Sequence, residues 1–431
     1  MTFSNDRSTA LPPPASSMTS LERRASMGHA SLFAVRMLGL FWLLPIFVEH
    51  AKTLPDGQIG WLVGLAFGVY GLVQACLLFP LGWLSDIIGR RAVILGGLVC
   101  FAVGSLVCGM SDTVWGLLIG RAIQGSGAIS SVISASISDV VRPEHRTKAM
   151  AMVGGSIGAA FLVALMTAPP LYAHIGMSGL FDLMLGLSLI GMVIAWRIVP
   201  AHHNPDTTDL SAHNTALSHV LTTRQLFLQP QLWRLNVGVF ILHACQMSLF
   251  SQMPSLLIQA GIPLSQHTWV YLPVMIASFA GMLPLMLYGE RKQQTKRIFQ
   301  WAIGFILITQ LLLLYVSSRV ELAITAVLLS LMLVFFIGFN LLEAQQPALV
   351  SRIAPANAKG RAMGLYNTLQ SLGLFVGGGL SGLFANQGHA PWLFALNSIM
   401  LMLWWLISRG MIVPIAATTS TNTPPPSPIS T

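Results

Sequence analysis

The sequence predicts an all-α polytopic membrane protein, with twelve transmembrane helices in two pseudo-symmetric six-helix bundles. Three observations carry this. Of 431 residues, 54% are hydrophobic and only 9% are charged, against about 25% charged in an ordinary soluble domain, and the mean hydropathy is +0.71. Apolar runs recur at the length of one bilayer crossing, about 20 residues. The longest polar interruption inside the chain, residues 200–233, divides those runs evenly.

Taken in order, residues 1–30 are polar and rich in Pro and Ser, without the apolar core of a cleavable signal peptide. They are expected to remain on the chain as a disordered cytoplasmic tail. Apolar runs bounded by charge or by Gly and Pro then place spans over 31–50, 58–81, 92–112, 115–139, 148–172 and 178–198, forming an N-terminal bundle over 31–199. Residues 200–233, rich in His, Thr and Asn, are expected to be a cytoplasmic linker. The second bundle, over 234–412, has spans at 234–258, 268–289, 297–317, 322–348, 361–386 and 390–412. Residues 413–431 have the composition of a disordered tail.

Basic residues set the orientation. With both termini inside, all but four of the 23 Lys and Arg residues fall in cytoplasmic segments; Lys52 and Arg319 lie outside, and Arg36 and Arg121 lie within spans. This follows the positive-inside rule, so the net charge of +9 reflects basic loops rather than a nucleic-acid-binding surface. The four cysteines, Cys76, Cys100, Cys108 and Cys245, lie in apolar segments without metal-ligand or disulfide spacing. No phosphate loop and no Ser-His-Asp arrangement is present, so neither an enzyme nor a cofactor is expected. A weak internal repeat supports the six-plus-six division: Pro80 with Asp86 is matched by Pro284 with Glu290, and Arg146-Thr-Lys-Ala-Met150 by Lys359-Gly-Arg-Ala-Met363.

The most specific stretch is Gly82-Trp-Leu-Ser-Asp86-Ile-Ile-Gly89-Arg90-Arg91, between spans two and three. It resembles the G-x-L-x-D-x-x-G-R-[RK] motif of the major facilitator superfamily. Span four contains Arg121-Ala-Ile-Gln124-Gly125, which resembles the R-x-x-Q-G motif of its proton-driven members. Span one contains Leu38-Gly39-x5-Pro45, which resembles the L-G-x5-P pattern of drug–proton antiporters. Over roughly residues 31–412, and most in the first half, the chain is similar to the bacterial YajR-type members of that branch. Span five departs from the antiporter pattern: Gly154, Gly155 and Gly158 precede Ala168-Pro169-Pro170, without a G-P-x-x-G-G core. YajR-type members carry a soluble C-terminal ferredoxin-like domain, which is expected to be missing here.

The resemblance implies that Asp86 faces the start of span eleven near Gly360 and Arg361, and that Arg90 pairs with Asp139. Together these would latch the bundles on the cytoplasmic side. It also implies alternating access about a midplane site lined by spans one, four, seven and ten, bringing together Arg36, Arg121, Gln124, His243, Gln246, Asn340 and Glu343. The residue types suit the task. A charge inside a span is costly unless it faces a wet cavity or a partner, and an imidazole changes charge near neutral pH. Asn340 and Glu343 are three apart, on one helical face, and Asn236, His243, Gln246 and Phe250 share a face of span seven. Arg36 has two readings, snorkelling to the cytoplasmic face or gating. Arg121 likewise reads as a cavity residue or as a structural hydrogen-bond hub.

The implied function is proton-coupled export of a small amphipathic molecule or drug by a monomer in the inner membrane, with both termini cytoplasmic. The expected partners are a small-molecule substrate, protons as the coupling ion and the lipid bilayer. The alternatives are a facilitator or proton symporter of a metabolite on the same fold, and, from another class, a membrane receptor without transport.

Overall fold

The computed structural model describes residues 17–199, 223–319, 324–355, 358–384 and 389–412. Residues 1–16 and 413–431 of the expected tails, and 200–222 of the expected linker, lie outside the described residues. Among those described, every regular element is helical: α1 Ser20–Trp42, α2 Phe47–Ala51, α3 Gly60–Ile88, α4 Arg90–Gly109, α5 Val114–Ser126, α6 Ser130–Val140, α7 Pro143–Ile198, α8 Thr223–Leu228, α9 Pro230–Gln259, α10 Thr268–Arg291, α11 Thr295–Ser317, α12 Thr325–Ile353, α13 Lys359–Leu383 and α14 Ala390–Ser408. A short 3-10 turn, Leu264–Gln266, precedes α10.

These helices occupy the positions of the twelve expected spans. Span one is α1 and α2, separated at residues 43–46, where Pro45 cannot donate to the helical ladder. Spans five and six run as one long α7 interrupted at Gly176, whose φ of +68° is a conformation that L side chains rarely adopt. Span four differs from its expectation as one helix over 115–139. It is broken between α5 and α6 at Gly127-Ala128-Ile129. Gly127 lies so close to the Gly97 carbonyl that a Cβ there would fall 2.4 Å from it, and the two glycines of Gly125-Ser126-Gly127 weaken the helix where it breaks.

Among the described residues, seven helices are long and apolar enough to cross a membrane by length and composition alone. The helices at spans one, four, seven and eleven are not among them. Those spans are either interrupted or carry the polar residues described below.

The expected tail also needs correction. Residues 20–30, placed in a disordered tail, are the first turns of α1. A capping box fixes the start: Glu22 N donates to Thr19 Oγ1 at 3.1 Å, and Thr19 N donates to Glu22 Oε2 at 2.8 Å. Glu22 then accepts from Arg142 Nε at 2.8 Å, and His29 Nε2 lies 2.8 Å from Ser136 Oγ. The extension is thereby held to the far end of span four.

Helices α1–α7 pack among themselves, as do α9–α14, and the two groups meet chiefly along α3 with α13 and α7 with α10. The α3–α13 seam is made of small residues. A Cβ on Gly64 would fall 2.5 Å from Gly382 Cα, one on Gly68 2.6 Å from Phe375 O, and one on Gly71 2.5 Å from Ser371 O, so the backbones touch as in other small-residue membrane interfaces. Toward the end carrying residues 82–91 the seam loosens to a side-chain contact of Phe79 with Gly364. There Gly154, Gly155, Gly158 and Gly360 have no atom within 4 Å of a would-be Cβ. At the opposite end the groups are tied together. Ser255 donates to Glu49, Lys52 Nζ donates to Ser255 Oγ at 2.8 Å, and Thr268 Oγ1 donates to Met166 O at 2.9 Å. The structure is therefore closed at one end and open at the other.

Two measurements check this packing. Gly104 of α4 faces Gly120 O and Gln124 N at 2.6 and 2.5 Å from a would-be Cβ, backbone atoms that cannot swing away. Gly104→Val is expected to destabilise by about 1–3 kcal/mol, read as a lower thermal midpoint in detergent, whereas Gly154→Ala leaves it unchanged or slightly raised. The second concerns Glu22, whose carboxyl is held well below the usual carboxylate range by the Arg142 guanidinium, then by the Thr19 N–H. A carboxyl depressed in the native state stabilises it above the unfolded value of about 4.3, and that stabilisation is lost as pH falls toward the native value. Hydrogen-exchange protection of amides 22–30, corrected for intrinsic rates, is expected to weaken from about pH 4.3 downward. Glu22→Gln should remove that pH dependence.

Candidate functional site

The centre of the first bundle is organised by Arg36 of α1, which is only 2% exposed. Its Nη1 donates to Ser130 Oγ at 2.5 Å, and its Nη2 donates to Tyr70 Oη at 2.7 Å and Gln74 Oε1 at 2.6 Å. It does not snorkel. Ser130 is the first residue of α6, so the break in span four delivers its hydroxyl to the guanidinium. Tyr70 has a second cationic neighbour: the Arg121 guanidinium lies over its ring at 4.8 Å from the centroid, and over Phe47 at 6.0 Å. Arg121 Nη1 donates to Gln124 Oε1 at 3.0 Å, and Gln124 Nε2 in turn donates to Ser105 Oγ at 2.9 Å. Neither arginine has a carboxylate within ion-pair distance among the described residues. Their charges are solvated by neutral dipoles and ring faces alone.

The second bundle contributes a different group. His243 Nδ1 lies 3.0 Å from Val239 O, and because a carbonyl can only accept, that nitrogen carries the proton of the neutral ring. Nε2 is then an acceptor, and Gln370 Nε2 donates to it at 2.8 Å while also reaching Glu343 Oε1 at 3.4 Å. Glu343 Oε2 lies 3.5 Å from the same imidazole nitrogen and has no hydrogen-bond partner. Gln370 neighbours Ser371, whose hydroxyl accepts from Gln74 Nε2 at 2.8 Å across the bundle interface. One polar chain thus runs from Ser130 through Arg36 and Gln74 to Ser371, beside Gln370, His243 and Glu343. Next to it is an aromatic cluster shared by both bundles: Phe161 lies 6.2 Å from both Phe250 and Phe336, and Phe339 lies 5.8 Å from the His243 ring.

Some expected groupings are absent. Asn340 and Glu343 do not act together, since Asn340 Nδ2 donates to Ser278 Oγ of α10 at 3.0 Å while Glu343 turns to α9 and α13. Three residues leave two side chains about 60° apart on a helix, enough to reach different neighbours. Gln246 and Asn236 are buried on α9, and neither joins the His243 group through a hydrogen bond. At the open end, Arg90 reaches both acids of its surroundings, Asp86 Oδ1 at 2.5 Å and Asp139 Oδ2 at 3.0 Å. Asp86 therefore faces Arg90, not Gly360 or Arg361, and its side chain is 60% exposed. With the bundle ends apart, no span-eleven helix start is within its reach. Gly89, at φ +93°, supplies the turn between α3 and α4, Arg91 donates to Trp196 O, and Gly82 packs near Ser131. Tyr70, Gln74, Ser130, Gln370 and Ser371 are the participants that sequence reasoning missed. A signal was present for Gln74, a lone amide in an otherwise apolar run, whereas Gln370 lies among Asn367, Thr368 and Ser371. No group of His, Cys, Asp and Glu able to hold a metal occurs among the described residues.

Two helical bundles closed at one end about a buried, polar, discontinuous centre define a secondary membrane transporter. The chain belongs to the Major Facilitator Superfamily, whose family model matches residues 29–378. It is 36% identical over 397 residues to the inner membrane transport protein YajR of Escherichia coli (strain K12), covering 92% of this chain and 85% of that protein. It is 26% identical over 375 residues to multidrug resistance protein 2 of Bacillus subtilis (strain 168), covering 84% of this chain and 89% of the relative. Among solved structures, that of a D-xylose–proton symporter superposes with a TM-score of 0.70 at 16% identity, over 92% of this chain and 98% of the other. That last likeness is one of fold. Transporters of this superfamily are not enzymes; they bind small molecules from within a lipid bilayer.

The Arg36 site has a direct test. Ser130→Ala, Tyr70→Phe and Gln74→Leu each remove one acceptor from a buried guanidinium, and each is expected to cost about 1–3 kcal/mol. Because the three share one partner, the losses should not add, and a double-mutant cycle on thermal midpoints measures the coupling.

Proposed function

We propose that the chain is a proton-coupled exporter of small amphipathic molecules, working by alternating access in the inner membrane as a monomer with both termini cytoplasmic. One observation supports proton coupling above all others: Glu343 Oε2 has no hydrogen-bond partner and stands 3.5 Å from His243 Nε2. A proton placed on that nitrogen or that oxygen supplies the missing bond. It also deprives Gln370 of its acceptor at His243, so the amide must turn. Gln370 is adjacent in sequence to Ser371, which holds the cross-bundle bond to Gln74, and a change of protonation therefore bears on the contact between bundles.

Arg121 and Arg36 keep fixed positive charge on the facing side. The aromatic cluster of Phe161, Phe250, Phe336 and Phe339 beside the polar group suits a molecule with one apolar and one polar part, and the relative named for multidrug resistance supports that substrate class. The positive-inside distribution of Lys and Arg supports a cytoplasmic location for the open end, which carries residues 82–91. YajR's name as an inner membrane protein supports the location. In the opposite, outward-open state, Asp86 would reach the start of α13 near Gly360 and Arg361, where free backbone N–H groups favour an anion. Together with Arg90 and Asp139 it would form the inner latch.

Reconstituted inside-out vesicles carrying an imposed proton gradient test the reading with a panel of amphipathic dyes. Wild-type protein is expected to dissipate the gradient on dye addition, Glu343→Gln to slow this at least tenfold, and Asp86→Lys to slow it without loss of membrane insertion. Gradient-independent equilibration of the dyes would instead identify a facilitator, and normal transport by Asp86→Lys would end the latch assignment.

A further inference from the structure

Away from the transport path, an open groove of about 570 Å³ lies where the start of α9 meets the end of α14, lined by Leu228, Pro230, Trp233, Arg234, Leu406, Ile407 and Gly410. The lining is apolar except for one guanidinium, and it contains no acidic side chain. Arg234 makes no hydrogen bond or ion pair among the described residues. Its Nη2 lies where a side chain on residue 410 would stand, 2.7 Å from a would-be Cβ, so Gly410 leaves it room. Two more cations sit at this helix end. Arg409 lies over the Trp405 ring at 5.4 Å, and Lys296 Nζ donates to Arg409 O at 2.7 Å.

From the groove an apolar stripe runs up the outside of α14. Ile399, Met402, Leu403 and Leu406 are all exposed, and their spacing of three and four residues aligns them on one face over about 10 Å. A guanidinium without a partner among the described residues, beside an apolar groove that continues into an exposed apolar stripe, matches one kind of molecule, an acyl chain carrying an anionic head. Guanidinium is the side chain best shaped to grip phosphate oxygens, and the exposed Trp233 is of the type that settles at the headgroup level.

We propose that this groove binds an anionic phospholipid, its phosphate on Arg234 and one acyl chain along Ile399, Met402, Leu403 and Leu406. The proposal is independent of the transported substrate and of proton coupling.

Native mass spectrometry of the full chain released from detergent, after incubation with equal amounts of phosphatidylglycerol and phosphatidylcholine, tests it. Phosphatidylglycerol adducts are expected to dominate. Arg234→Gln should lower their occupancy about fivefold, the factor for one charge at a membrane surface, while Arg234→Lys keeps most of it. Leu406→Asp, in the last turn of α14 beside Arg234, should produce a comparable loss by setting a carboxylate where the phosphate would sit, with membrane insertion checked in parallel. Arg297→Gln, whose parent side chain is engaged with Gln294, should not. Equal retention of the two lipids, or unchanged occupancy in both Arg234→Gln and Leu406→Asp, would overturn the proposal. So would a thermal shift with inorganic phosphate alone as large as that with phosphatidylglycerol, because the site would then be one for a free anion.

Discussion

The burial of Arg36 constrains everything around it. A guanidinium in the middle of a bilayer protein must be neutralised or closely solvated, and here no carboxylate is near, so neutral oxygens from two other helices do the work. Tyr70 and Gln74 of α3 and Ser130 of α6 can meet one side chain of α1 only if three spans keep a fixed register. Ser130 reaches its place because span four is broken just before it. Arg121 adds a second charge over the face of the Tyr70 ring and is oriented by Gln124, itself tied to Ser105. The first bundle is thus rigid around a dicationic core. Gln74 accepts from Arg36 with its oxygen, which leaves its amide nitrogen to donate across to Ser371. An electrostatic requirement internal to one bundle in this way fixes the position of a contact with the other.

That contact lies at the point where the seam between bundles changes character. On one side of it, α3 and α13 touch backbone to backbone through Gly64, Gly68, Gly378 and Gly382; on the other, Gly364 meets only the Phe79 ring. Glycine seams favour close approach without demanding a side-chain interlock, so two helices can roll on one another with little repacking. The polar ties at the closed end, Glu49 and Lys52 with Ser255 and Thr268 with Met166, are few and solvent-accessible in part. Ties of this kind hold one state without making it irreversible.

Much of this was legible in the sequence, and the exceptions have physical reasons. Apolar run length located the spans because a bilayer imposes one length on every helix. Intramembrane charges stood out for the same reason, so Arg36, Arg121 and Glu343 were readable as special residues. The partners were not. Which neutral oxygen receives a guanidinium depends on helix rotation and on the break at residues 127–129, and a serine in an apolar run looks the same whether it caps its own helix or meets an arginine. The capping signature of Thr19 and Glu22 stands in the sequence, yet its polar surroundings read as tail. What decides the matter is the distant Arg142, which pairs with Glu22. Asn340 and Glu343 show the complementary error: helical spacing put them on one face, but long polar side chains 60° apart answer to different neighbours.

The identity of residue 370 follows from the chemistry beside it. A lysine there would pair permanently with Glu343 and leave the carboxylate no use for a proton. A second glutamate would repel the first and, when ionised, could donate nothing to the imidazole. A leucine would take this donor from His243 Nε2 and Glu343 Oε1 in the unprotonated state, at a cost of about 1–3 kcal/mol for the buried imidazole nitrogen. Glutamine suits the proposed coupling where these three do not. With its nitrogen inward it donates to the neutral imidazole and the carboxylate at once, and when Nε2 gains a proton and donates it in a hydrogen bond to Glu343 Oε2, the amide nitrogen must move off the imidazole. In that proposal the amide would move beside Ser371, which Gln74 of the opposite bundle holds at 2.8 Å.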